Sequence, residues 1–171
     1  MIRFVLNCLL WAMGISCLTA QSKDSCACCD ATYRQFDFWV GNWQAVVNDT
    51  VRGHNDIILL QDGCLIQENW RSAKGNYTGT SYNYFDATTQ NWNQVWIDNQ
   101  GQSSRLSGGI QGKAMILTSE KDTNSATDSL IHRITWTPLS PDRVRQLWQS
   151  RSRHSEEWKT LFDGEYQRLT K

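Results

Sequence analysis

Of the nine tryptophans in this chain, eight (Trp39, Trp43, Trp70, Trp92, Trp96, Trp136, Trp148 and Trp158) lie beyond the first twenty residues, nearly all in short strand-like runs. The surrounding apolar residues alternate with polar ones at a period of two, not at the 3.6-residue period of an amphipathic helix. No helix of normal length is predicted, so the chain has to bury its aromatic surface between strands. The densest segment is Phe36-Asp37-Phe38-Trp39-Val40-Gly41-Asn42-Trp43. It is an aromatic cluster that turns through a glycine into a strand, as at the closed end of many small β-barrels.

Turn residues divide the chain beyond this cluster into ten predicted strands, at 43–48, 54–61, 64–71, 78–85, 92–98, 103–110, 113–119, 130–137, 143–150 and 157–168. Asp62-Gly63 is a strong hairpin signal, and Lys74-Gly75-Asn76, Gln111-Gly112 and the stretch 138–142 mark further reversals. The polar stretch 120–128 reads as a surface loop. Hairpin-length connections give an up-and-down order, and closure removes the sheet edges that invite aggregation. The expected fold is all-β, a closed antiparallel barrel of about ten strands. A two-sheet sandwich is the alternative, and it usually needs longer crossovers.

Residues 1–20 read as a signal peptide, with Arg3 near the start, an apolar run to Ile15 and the small residue Ala20 at the cleavage position. The run is too short for a stable membrane span, which needs roughly 20 apolar residues. Ser16-Cys17 resembles the end of a lipobox, but Gly14 stands where leucine is usual, so an anchor at Cys17 is the lesser reading. A secreted or periplasmic protein is expected, with a cysteine-containing segment at 21–35 and one barrel domain at 36–171. Arg3 is the only charge in the leader, so the remainder carries one more acid than base. Without a basic block, neither nucleic acid nor an anionic membrane is an expected partner.

Cys26, Cys28, Cys29 and Cys64 remain after the leader, and four cysteines allow three pairings. The expectation is a staple from the N-terminal segment to the strand near Cys64. Cys26-Ala27-Cys28-Cys29 lacks redox-dithiol spacing and a nearby histidine, so no metal site is expected. Two tripeptides, Asn48-Asp49-Thr50 and Asn76-Tyr77-Thr78, are glycosylation sequons that have meaning only in a eukaryotic host.

The segments 36–43, Gly63-Cys64 with Glu68-Asn69-Trp70, 80–86, 92–98, Arg133-Ile134-Thr135-Trp136-Thr137-Pro138, Arg143-Val144-Arg145-Gln146-Leu147-Trp148, and Phe162-Asp163-Gly164 with Tyr166 span about four-fifths of the mature chain in one order. Together they resemble the DUF1579 family, a mostly bacterial group of unknown function with a lipocalin-like barrel. The resemblance implies the barrel but no activity, because the fold hosts binding proteins and enzymes alike. Gly41-Asn42-Trp43 is also similar to the Gly-x-Trp opening of lipocalins, where the tryptophan plugs the closed end.

Only one face of each barrel strand looks inward. If the tryptophan faces do so, the interior combines Trp70, Trp92, Trp96, Tyr82 and Tyr84 with the carboxylates Glu68 and Asp98. Arg133, Arg143 and Arg145 are candidate partners for those acids. The late strands are ambiguous: the tryptophan rule places His132 and Gln146 inside, whereas charge pairing places Arg133 and Arg145 there. The predicted ligand-binding set is Glu68, Trp70, Tyr82, Tyr84, Trp92, Trp96, Asp98 and Arg145. Such a mixture suits a flat, partly apolar small molecule gripped by a few polar groups.

Three functional readings are open: a monomeric or weakly dimeric barrel binding an apolar or aromatic ligand; a cavity enzyme of the cyclase, isomerase or hydrolase kind using Glu68 or Asp98 beside Arg145 or His132; and a structural envelope protein with a filled barrel. A haem held by His54, His132 or His154 is a minor alternative, and no cofactor is expected. The glycines read as turn glycines, not as a phosphate-binding loop.

Overall fold

The computed structural model describes residues 26–119 and 130–170. The leader with Cys8 and Cys17, its cleavage position, and the stretch 120–128 lie outside the described residues.

Ten strands run in chain order: β1 Gly41–Val47, β2 Thr50–Leu60, β3 Leu65–Ser72, β4 Thr78–Asp86, β5 Asn91–Asp98, β6 Ser103–Gln111, β7 Ala114–Ser119, β8 Ile131–Ser140, β9 Arg143–Arg151 and β10 Lys159–Arg168. Each pairs antiparallel with its chain neighbours, and β10 closes on β1 with Arg168 opposite Trp43. The fold is therefore the closed up-and-down barrel expected from the period-two pattern. Among the described residues no helix is long and apolar enough to cross a membrane.

Two boundaries differ from expectation by more than two residues. β2 begins at Thr50, not at residue 54, because Asn48 and Asp49 take φ of 48° and 57° and reverse the chain in two residues. β8 runs through Pro138 to Ser140, where sequence reading placed a turn. The β8–β9 register shifts between Pro138 and Ser140, the kind of irregularity at which a strand tolerates proline.

The core fills one half of the barrel. Short 3-10 turns at Ala31–Arg34 and Asp37–Trp39 carry Phe36 and Trp39 into that end, where both are fully buried. Trp39 stacks on Trp43 at 5.9 Å and meets Tyr166 edge-on at 4.5 Å, while Phe36 packs edge-on against Trp92 and Trp136. The Trp43 indole donates to the Trp39 carbonyl at 2.9 Å. On the other side of Trp43 lies the Arg168 guanidinium, 4.1 Å from the ring centroid, which also donates to the Val40 carbonyl. Gly41 is required here, since its φ is 144° and a Cβ would lie 2.0 Å from Arg168.

The N-terminal segment is locked over this end. Cys28 is bonded to Cys64, beside the β2–β3 turn, and Cys26 to Cys29. The Cys28–Cys64 bridge is the staple anticipated from sequence. Arg34 donates to the Gly63 carbonyl of the same turn and pairs with Asp37 at 3.4 Å.

Candidate functional site

The other half of the barrel holds a cavity of about 210 Å³. Its walls come from inward faces set by strand pairing: Glu68 and Trp70 on β3, Gln94 and Trp96 on β5, Ser104 on β6, Ile134 and Trp136 on β8, Gln146 and Trp148 on β9, and Phe162 and Tyr166 on β10, with Tyr77 from the β3–β4 connection. Trp148 lines the cavity yet is 38% exposed, so this end of the barrel is its mouth.

Strand glycines keep the space open. A Cβ on Gly53 would lie 2.4 Å from the Trp70 ring, one on Gly79 2.0 Å from Trp96, and one on Gly164 2.4 Å from Phe162. Each aromatic ring thus lies over a bare stretch of backbone instead of projecting into the middle. The sequence reading of the glycines as turn residues is corrected at these three positions, which are all within strands.

Glu68 is the polar centre, 6% exposed. Asn55 on β2 donates to its Oε1 at 2.6 Å, and Ser81 on β4 donates to its Oε2 at 2.7 Å. Gln94 donates to Asn83 at 2.9 Å, and Asn83 donates to the Ser81 hydroxyl at 2.9 Å. The donors all run toward Glu68, so the network is polarised in the sense that favours an accepting carboxylate. Burial pushes the Glu68 carboxyl above its ordinary range, and the Ser81 and Asn55 hydrogen bonds pull it partly back. Burial, and then the nearby Glu68 carboxylate, hold the Tyr166 hydroxyl well above its ordinary value.

A pH signature results from the raised carboxyl. The folded state binds this proton more tightly than the unfolded state does, so stability falls as pH rises from the ordinary glutamate range through the folded value, then levels off. Glu68→Gln removes the titrating group while keeping the side chain's shape. Relative to the variant, the native protein should lose denaturant-midpoint stability over the range above the ordinary glutamate pKa of about 4. A difference between the two proteins that is flat across this range would show that burial does not govern Glu68.

The predicted site residues divide. Glu68, Trp70 and Trp96 come together on the cavity wall. Trp92 faces inward but belongs to the closed-end core, with its indole donating to Gln35 at 3.1 Å. Tyr82 and Tyr84 point outward, 40% and 39% exposed, because the inward positions of β4 belong to Gly79, Ser81 and Asn83. Asp98 sits at the β5–β6 turn: burial would raise its carboxyl, but hydrogen bonds from the Gln102 and Gln100 amides, Tyr77 and Trp96 outweigh this and hold it low.

Arg145 is also outside, paired with Asp163 at 2.7 Å, and Arg143 pairs with Glu165. Arg133 donates to Gln149 and lies 4.0 Å over the Trp158 ring. None of the three is available to Glu68, which corrects the charge-pairing expectation and leaves the tryptophan rule correct for Gln146. His132 accepts from the Trp148 indole at 3.1 Å, and burial lowers its pKa. His54 and His154 are exposed.

Sequence reading missed Tyr77, Trp136, Trp148, Phe162 and Tyr166 as cavity residues, although the period-two rule extended along β8, β9 and β10 selects the last four. Two buried polar atoms on this wall lack partners: the Trp136 indole nitrogen and Gln146 Oε1, from residues directly paired across β8 and β9. Among the described residues no group of three or more His, Cys, Asp or Glu could hold a metal ion. The cavity is smaller than the roughly 300–1,000 Å³ of drug-sized pockets, so a tetrapyrrole does not fit between these walls. No family model and no curated protein matches the chain.

Proposed function

We propose that the protein is an exported lipocalin-like barrel, of the kind its DUF1579 resemblance implies, that binds a small, largely apolar or aromatic ligand in this cavity. One observation carries the reading: a cavity bounded by Trp70, Trp96, Trp148 and Phe162, with Glu68 the one carboxylate on its wall among the described residues. Aromatic walls supply contact area, and a few buried polar groups fix orientation. The open volume argues against a barrel filled by its own side chains. Two disulfides, including one that ties the N-terminal segment down, support an oxidising compartment.

Native mass spectrometry of the chain, purified from its exported compartment without reducing agent, is the direct test. The expected spectrum shows a retained small-molecule mass, together with the loss of two hydrogens per disulfide. A bare protein mass, combined with no tryptophan fluorescence change across a panel of single-ring compounds, counts against ligand binding.

The cavity-enzyme reading draws on Glu68, since a buried carboxyl with a raised pKa is what general acid–base chemistry uses. On that reading Glu68→Gln abolishes turnover of the bound molecule while folding persists. A variant that still turned the molecule over would remove Glu68 from the chemistry.

A further inference from the structure

We infer that the ligand is a small organic cation, an ammonium group on a body of about one ring, with its charge held by the Glu68 carboxylate inside the cage of Trp70, Trp96, Trp148, Phe162 and Tyr166. This ligand class rests on the ligand-binding reading above and adds the sign of the charge.

The charge balance of the cavity supports a cation. Among the described residues, Glu68 is its only acidic lining residue, and no lysine, arginine or histidine lines it. The arginines that could have neutralised Glu68 are engaged on the outer surface with Asp163, Glu165 and Gln149. The carboxylate therefore has hydrogen bonds but no counter-ion among the described residues. Each oxygen accepts one of those bonds, from Asn55 and from Ser81, which leaves lone pairs for a ligand's N–H groups. Gln146 adds a second unmet acceptor, Oε1, on the lining. The Trp136 indole N–H is an unmet donor on the same wall, but it is neutral, whereas an anionic ligand would face the Glu68 carboxylate with full charge repulsion.

The walls fit the same ligand. Aromatic faces attract cations through their quadrupoles, most strongly when both are desolvated, and several rings around one carboxylate form a cage for ammonium groups. Trp70, Trp96 and Phe162 lie over Gly53, Gly79 and Gly164, respectively, which leaves a bounded space between the rings. An apolar protein cavity of about 150 Å³ takes up benzene. A cavity of about 210 Å³ accommodates one ring and a short amine-bearing chain.

The test titrates the native protein, by tryptophan fluorescence, with three probes of nearly one shape: 2-phenylethylammonium, 2-phenylethanol and 3-phenylpropionate. The cation is expected to bind about tenfold or more tighter than the alcohol, with the carboxylate weakest. In Glu68→Gln, whose folding is checked by far-ultraviolet circular dichroism, that preference should collapse, and a cation preference that persists in the variant overturns the role of Glu68. Equal or tighter binding of the alcohol or the carboxylate by the native protein overturns the cation assignment and leaves ligand binding standing. Failure of all three to bind overturns both.

Discussion

Trp39→Ala is expected to cost about 3–5 kcal/mol of unfolding free energy, the range for removing a large aromatic side chain from a tight core. Trp39 is fully buried, stacks on Trp43, and touches Tyr166 and Trp136 from a segment outside the ten strands. Its loss leaves a void that the hydrogen-bonded strands around it cannot collapse to fill. The face of Trp43 that it covers would then border that void and lose its packing contacts. Urea unfolding followed by far-ultraviolet circular dichroism measures the change. Trp148→Ala at the mouth is the comparison, since its ring is already partly exposed and its removal opens no closed void. If the two substitutions had equal effects, the closed-end plug would not be what holds the barrel shut.

Cutting the Cys28–Cys64 bridge by a double serine replacement should destabilise the fold by about 4 kcal/mol on the loop-closure model. The bridge spans 36 residues, so it restricts a large part of the unfolded chain's freedom near β1 and β2. The Cys26–Cys29 bridge spans three residues and contributes about 2 kcal/mol on the same model. Replacing that pair with serines should therefore move the unfolding midpoint about half as far. The comparison is made in oxidising buffer, with the two double variants unfolded side by side. Equal midpoints in the two variants would mean that the N-terminal segment is held by Arg34 and the Phe36–Trp39 packing and not by the long bridge.

The barrel itself was legible in the sequence because its signals are local. Strand alternation, the turn at Asp62-Gly63 and the aromatic entry at residues 36–43 each act over a few residues, and all agree with up-and-down closure. Departures at Thr50 and Pro138 arose where one local rule concealed another. The Asn48-Asp49 reversal is shorter than its polar surroundings imply, and a proline sits where the ladder is already irregular.

The candidate site was legible only in part. Glu68, Trp70 and Trp96 were identified from β3 and β5, where the large apolar residues and the carboxylate share one face and that face is inward. On β4 the same rule selected Tyr82 and Tyr84, but neighbouring rings need space there. Gly79 lies beneath Trp96, and Ser81 and Asn83 serve the Glu68 network. Size complementarity across strands outweighed the hydrophobicity of one strand.

By itself the sequence determined an all-β barrel with an aromatic-plugged end and cysteines placed to staple it, since each of these follows from residue spacing along the chain. The tertiary structure alone decided that Arg143 and Arg145 find Glu165 and Asp163 on the outer surface, that Glu68 has no cationic partner among the described residues, and that glycines hold a cavity open beside it. The reason is physical: a side chain's charge partner and its free space are both set by the register between strands, and that register exists only once the barrel has closed.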